Sequence, residues 1–522
     1  PLELSGHKKN YQKGIQYLKE QGIKVKSIGH DIRRDDEICF QCGVCTAVCP
    51  TGALNIKRPE MEVLFDRERC SAFQICNGTI ILHINTGACL SKRFYIVTLG
   101  CKVNHYETAS LKEKLISNKW QPVESVTEAD IAVINTCIVT RKASYQSRQA
   151  IRKIIRENPS AIIAVTGCYP QVFPEELSNI KEIKIFAGNS DKARLPDILE
   201  HHLDSRANHF FTNDFSDDMS FENMPVKNFL NRARAFLKIQ DGCNSFCSYC
   251  IVPYARGPIR SMEPGHIIDS LKTYEKEGYR EIVLTGIHLG KYGKDFSEEF
   301  DIKDLLKKIG RTKPGFRIRL SSLEPKEIDT ELIEMMASEE WLCRHFHIPL
   351  QSGDKTILKK MNRHYSPDFF RKMIMKIHEK IPLASIGVDI IAGFPGEDNR
   401  SFNNSYSLID DLPVSYLHVF PYSSRKGTPA AGFPGQVDQK TIKERAKILR
   451  DLGREKKKIF YNSCLRQNFT VIVEGWESEE RKMVKGLSDN YLKILFPCDH
   501  LSKNRIFEVT TEKTHKDFIF GK

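Results

Sequence analysis

Three cysteines in the string DGCNSFCSYCIVPYARG, Cys243, Cys247 and Cys250, follow the spacing C-x3-C-x2-C, with Tyr249 just before the last. Three thiolates on one short loop can hold an iron–sulfur cube by three corners, because a closed cluster takes one thiolate per iron. The fourth iron is then open. It can take the amino and carboxylate groups of S-adenosylmethionine, and one electron then breaks the sulfonium C–S bond and releases a carbon radical. Zinc is the competing use of clustered cysteines, but structural zinc prefers four closed ligands. No fourth Cys or His stands at a suitable spacing, and His266 is isolated.

A second set of cysteines is scattered in sequence but not in pattern. FYIVTLGC, ADIAVINTC and AIIAVTGC are apolar strand patterns ending at Cys101, Cys137 and Cys168, each followed by a helical stretch. Strands alternating with helices build a parallel sheet, and ligands in such sheets sit beyond the carboxyl ends of the strands. The three thiols are therefore expected on one edge, as a second shared metal site. A single buried Cys at a strand end would be only a small hydrophobe.

A third run, CFQCGVCTAVCP, holds Cys39, Cys42, Cys45 and Cys49 with the C-x2-C-x2-C-x3-C-P spacing of bacterial ferredoxins. The second run that two-cluster ferredoxins carry is damaged: Cys70 and Cys76 stand in place, Phe73 occupies the middle position and no Cys-Pro follows. Cys343, Cys464 and Cys498 are isolated and read as small buried hydrophobes.

The elements that must position these groups fall into an α/β chain of four regions. Residues 1–90 form a ferredoxin-like segment. Residues 91–203 form a parallel-sheet domain. A polar stretch, HLDSRANHFFTNDFSDDMSFENMP, follows and reads as a linker or surface excursion. Residues 229–460 alternate apolar runs with helical patterns, as parallel β/α units do. Within them 441–460 read as a basic helix with Ile442, Ala446 and Leu449 on one side. Residues 461–522 carry short strands of a small β domain. The 522 residues are 40% hydrophobic and 28% charged, which suits a globular chain with a core. No apolar run is long enough to span a membrane, and PLELSGHKKN has no signal core. A cytoplasmic location is expected. The chain does not begin with Met, so a fragment or a processed form is expected. The net charge of +13 suits an anionic partner such as RNA.

The Cys243 segment resembles the radical S-adenosylmethionine superfamily, whose cores are partial β/α barrels. EIVLTGIHLG, RIRLSSLEP, FHIPLQSGD and VDIIAGFPGE are similar to its later strands and loops. The resemblance implies that Tyr249, Thr285, Glu324, Gln351 and Asp389 lie near the cofactor. TLGCKVNHYET, INTCIVT and TGCYPQ resemble the amino-terminal domain of the methylthiotransferases within that superfamily. This implies a second, auxiliary [4Fe–4S] cluster on Cys101, Cys137 and Cys168 and S-adenosylmethionine in two roles. One molecule methylates sulfur at the auxiliary cluster. Another is cleaved at the Cys243 cluster to a radical that activates an unreactive C–H bond. The Cys39 run would add a third cluster, as an attached electron donor.

GCKVN followed by Glu107 resembles the branch that acts on N6-threonylcarbamoyladenosine in tRNA, beside the anticodon. Other branches act on isopentenyladenosine or on a ribosomal protein aspartate. An iron–sulfur electron carrier is a further alternative. VIVEGW with KGLSDNYLKILFP resembles the tRNA-binding β-barrel called TRAM, although 461–522 hold ten Lys or Arg against nine Asp or Glu. The preceding basic helix is the better electrostatic candidate for RNA. Partners implied are tRNA and a reductant such as flavodoxin or ferredoxin, with no membrane.

Overall fold

The computed structural model describes residues 25–28, 54–57, 62–66 and 92–522, apart from 203–207, 217–218, 230–231, 479, 481, 500–504 and 516. The chain divides into two compact units, Pro1–Ser91 and Lys92–Lys522. In the first, strands β1 (Val25–Ile28), β2 (Leu54–Lys57) and β3 (Glu62–Asp66) form one sheet in the order β1-β3-β2. The Cys39–Cys49 run, and Cys70, Cys76 and Cys89, lie outside the described residues.

The second unit opens with a six-stranded parallel sheet. Its strands are β4 (Arg93–Thr98), β5 (Gln121–Pro122), β6 (Ile131–Thr136), β7 (Ile162–Gly167), β8 (Ile183–Ala187) and β9 (His209–Phe211), in the order β5-β4-β6-β7-β8-β9. Every residue of the β6 string IAVINT is buried. Parallel strands covered on both faces read as such continuous runs. Helices α1 (Lys102–Ser117) and α2 (Arg141–Glu157) follow β4 and β6. Thr140 caps α2 by accepting from the Ala143 amide. The polar stretch read as a linker instead supplies the edge strand β9, because His209, Phe210 and Phe211 give it a short apolar pairing segment.

A β/α half-barrel follows: β10 (Ala235–Lys238), the two-residue strands β11 (Gln240–Asp241) and β12 (Arg260–Ser261), β13 (Glu281–Thr285), β14 (Arg317–Leu320), β15 (His345–Gln351), β16 (Ser385–Ala392) and β17 (Tyr416–Pro421). The sheets β10-β13-β14 and β15-β16-β17 are each parallel. A parallel bridge, Ile318 to Leu342, lies between them in the chain. Successive residues of a strand point to opposite faces. Ile282, Leu284, Ile318, Leu320, Ile348, Leu350, Val388 and Ile390 enter the core. The alternate positions hold Glu281, Thr285, Arg317, Arg319, His345, His347, Gln351 and Asp389. A polar inner row of this kind lines a chamber rather than a packed centre.

Short helix α3 (Val252–Arg256) follows the Cys243 loop, and α4 (Gln439–Ser463) closes the half-barrel. Ile442, Ala446 and Leu449 are buried there, as their spacing predicts. Part of the basic character of α4 is spent within the protein. Arg445 pairs with Glu397, Lys447 and Arg454 with Asp451, and Lys457 with Asp517. Lys456 donates to the Asp410 carbonyl. That leaves less free charge for RNA than the composition of the helix suggests.

Strands β18 (Asn468–Ser478), β19 (Met483–Ser488), β20 (Lys493–Pro497), β21 (Ile506–His515) and β22 (Phe518–Gly521) close into a small barrel, β18-β19-β20-β22-β21, around Phe469, Val471, Val484, Ile494 and Phe496. Closure removes the free strand edges. Arg317 and Arg319 of β14 hold this barrel by donating to the carbonyls of Thr470, Leu487, Ser488 and Asp489. Among the described residues no helix is long and apolar enough to cross a membrane.

Candidate active site

Cys101, Cys137 and Cys168 stand just past the ends of β4, β6 and β7, three adjacent strands in one register. Their thiols are electrostatic neighbours of one another. Cys137 and Cys168 are buried, whereas Cys101 is exposed. Gly100 adopts φ +106°, and a Cβ there would stand 2.7 Å from the Cys137 Cβ, so the chain can bring Cys101 to Cys137 only through glycine. Asn189 donates to the Cys168 sulfur at 3.4 Å. Burial pushes the Cys137 thiol up to about 12, so a thiolate there needs a positive partner.

Cys243, Cys247 and Cys250 lie on the loop between β11 and α3, all partly buried. Gly242, with φ +75°, turns the chain into this loop, and a Cβ there would meet the Pro258 carbonyl oxygen at 1.7 Å. The Cys243 sulfur lies 3.3 Å from His288 Nδ1, and His288 Nε2 lies 2.6 Å from Glu327. Despite burial, the contact with His288 holds the Cys243 thiol below its usual range. Arg363 approaches Cys247 at 3.8 Å and donates to Glu324 at 2.8 Å and to the Pro349 carbonyl at 2.6 Å. Asn362 donates to the Ser245 and Phe246 carbonyls and holds the turn between the first two cysteines.

The residues expected near the cofactor are distributed around this loop. Glu324 joins it through Arg363. Tyr249 is packed against Phe394. Thr285 ends β13, and its carbonyl accepts from the Ile239 amide just ahead of the loop. Gln351 ends β15 at φ +63°, and its buried Oε1 has no hydrogen-bond partner among the described residues. Asp389 lies farther along the inner row, accepting from His347 at 2.7 Å and from His418 at 3.2 Å. His288, Glu327, Arg363, His347 and His418 carry no sequence signal that singles them out. Cys343 and Cys464 are buried as expected, and Cys498 is partly buried.

A buried charge cage joins the two triads. Arg256, six residues after Cys250, donates to Glu107 at 2.5 and 3.1 Å and to Asn104 at 2.5 Å. Both acceptors sit on α1, directly after Cys101. Lys192 and Lys238 also reach Glu107, at 2.5 and 3.0 Å, and Asp241 takes Lys238 and Arg256 at 3.2 and 3.3 Å. The cations beside it hold the Glu107 carboxyl well below the ordinary carboxylate range despite full burial. A polar cavity of about 670 Å³ opens beside the cage, lined by Lys192, Lys238, Asp241, Arg260 and Glu222. Arg256 Nε, although buried, has no hydrogen-bond partner among the described residues, and the guanidinium is electrostatically close to Cys101 and Cys168. A three-thiolate [4Fe–4S] cluster is anionic, so a guanidinium with its Nε–H unanswered fits such a group.

Residues 237–409 match the radical SAM superfamily, 93–188 match the uncharacterized protein family UPF0004, and 32–55 match the 4Fe-4S binding domain. The half-barrel and its three-cysteine loop thus define a radical S-adenosylmethionine enzyme. The chain is 39% identical over 402 residues to the threonylcarbamoyladenosine tRNA methylthiotransferase MtaB of Bacillus subtilis, covering 76% of this chain and 89% of that one. It is 38% identical to the MtaB of Aquifex aeolicus, covering 76% and 95%. It is 32% identical to the tRNA-2-methylthio-N(6)-dimethylallyladenosine synthase of Natranaerobius thermophilus, covering 82% and 96%. The chain belongs to the radical S-adenosylmethionine methylthiotransferase family. Its cofactors are [4Fe–4S] clusters and S-adenosylmethionine.

Proposed function

We propose that this enzyme places a methylthio group on the adenine ring of N6-threonylcarbamoyladenosine, beside the anticodon of tRNA. Cys243, Cys247 and Cys250 would hold the cluster that, when S-adenosylmethionine is bound, supplies the electron for its cleavage to a carbon radical. Cys101, Cys137 and Cys168 would hold the auxiliary cluster at which sulfur is presented. An aromatic C–H is far too weak an acid for a general base, which is why the site carries two metal triads rather than an acid–base pair.

The protein's own part is positioning. Arg363 clamps the Cys247 side of the loop to Glu324, and His288 with Glu327 supports Cys243. Arg256 grips Asn104 and Glu107, so the loop after one triad is tied to the helix after the other. That contact carries the reading, because methylthio transfer needs the sulfur and the radical source at a fixed separation.

The terminal barrel fits a TRAM-like hold on the RNA, and the Cys39, Cys42, Cys45 and Cys49 run fits an electron donor feeding the Cys243 site. Flavodoxin or ferredoxin would be the external reductant, and the cytoplasm the place of action. The domain limits 1–90, 91–203, 229–460 and 461–522 assign one of these roles to each region. The reading is tested by incubating anaerobically reconstituted protein with reductant, S-adenosylmethionine and tRNA bearing the threonylcarbamoyl group. Nucleoside mass analysis should show the 2-methylthio derivative. Formation of 5′-deoxyadenosine with no methylthiolated nucleoside would reject it.

A further inference from the structure

Three side chains converge where β15, β16 and β17 run side by side. Asp389 and His418 are direct partners in register, so both project to the same face of the sheet. His347 comes from the other flank, opposite Gly387. Its Nε2 lies 2.7 Å from Asp389 Oδ1, and His418 Nδ1 lies 3.2 Å from the same oxygen. One donor atom from each of the three residues lies within 4.8 Å of the other two.

The surroundings hold these groups in place. The other ring nitrogen of His347, Nδ1, lies 2.9 Å from the Ser322 hydroxyl. An outer partner of this kind fixes the orientation and tautomer of an imidazole that offers its remaining nitrogen to a metal. The Tyr416 ring braces His418 at a centroid distance of 5.2 Å. Gly387 makes room for that ring, since a Cβ there would stand 2.0 Å from it. Asp389 is largely covered, whereas 51% of the His418 side chain is exposed. The cluster is therefore backed by the strands and open on the side of the chamber.

We infer that His347, Asp389 and His418 form a site for one divalent first-row metal ion on the chamber wall, separate from both cysteine triads. Two imidazoles and one carboxylate are a recurrent donor set for such ions, whereas thiolates suit the iron–sulfur clusters. Three protein ligands arriving from one side leave coordination positions open. Those positions can take oxygen donors of a bound substrate, a carboxylate or a carbonyl. The site does not depend on which base the enzyme modifies.

The probe is Mn²⁺, which soft thiolates do not favour, so any uncovered cysteine is a poor competitor. Full-length holoenzyme, with its clusters oxidised and diamagnetic, is titrated with Mn²⁺ while electron paramagnetic resonance reads the free ion. One ion per chain should bind saturably, and spin-echo spectra of the bound ion should show coupling to imidazole nitrogen. Ser322→Ala should weaken binding about 10- to 100-fold. His418→Ala should weaken it further, with iron and sulfide per chain unchanged. The absence of a saturable site, or a bound ion without nitrogen coupling, overturns the assignment. Equal binding by the wild-type protein and His418→Ala also overturns it, and places the ion on other surface groups. Should His418→Ala lose iron through misfolding, the nitrogen coupling in the wild-type protein and the Ser322→Ala shift decide the matter.

Discussion

The guanidinium of Arg256 grips the Glu107 carboxylate with both terminal nitrogens, although 149 positions separate the two residues. Neither side chain is more than 2% exposed. Glu107→Gln keeps the shape and removes the charge, leaving Lys238 and Arg256 with Asp241 and depriving Lys192 of its paired carboxylate. Breaking a buried ion pair costs about 3–5 kcal/mol, and chemical denaturation under anaerobic conditions should show a loss of that size. The carboxyl sits far below its usual 4.5. Its contribution is therefore present throughout neutral pH and is lost only as pH falls well below that value.

The two triads should fail in different ways. Cys243→Ala should abolish 5′-deoxyadenosine formation yet retain iron at the auxiliary site. Cys137→Ala should still cleave S-adenosylmethionine but yield no methylthiolated tRNA. Product from Cys137→Ala would show that the auxiliary triad is not the sulfur site.

Gly242→Ala tests the loop without touching a thiol. Its Cβ would collide with the Pro258 carbonyl, and φ +75° is strained for alanine. The loop has to shift, so iron content should drop by about four per chain, one cluster's worth. Unchanged iron with normal turnover would mean that the loop tolerates the shift.

Removing residues 1–90 takes away a separate compact unit. Turnover driven by a protein reductant should slow, whereas turnover driven by a chemical reductant should persist. Iron counting should fall from about twelve to about eight per chain if all three clusters are assembled. Equal rates with the protein reductant would dismiss the donor role.

Much of the frame was legible because it is local. FYIVTLGC, ADIAVINTC and AIIAVTGC each announce a strand and the cysteine at its end, and the parallel-sheet rule then gathers Cys101, Cys137 and Cys168. Ile442, Ala446 and Leu449 show their helix by spacing alone. His288 beside Cys243 and Arg363 beside Cys247 were not legible, since nothing near them in sequence marks the contact. The stretch around Phe210 looked like a linker because one short edge strand is too brief to rise above its polar surroundings.

The terminal barrel is bolted to the half-barrel through Arg317 and Arg319, and its Tyr491 ring stacks on the inner-row His345 at 4.3 Å. The floor of the reaction chamber is thus partly made of the module at the far end of the chain. A hybrid enzyme with a borrowed tail would inherit a foreign floor as well, so exchanging the tail should alter the chemistry's fidelity and not merely its grip.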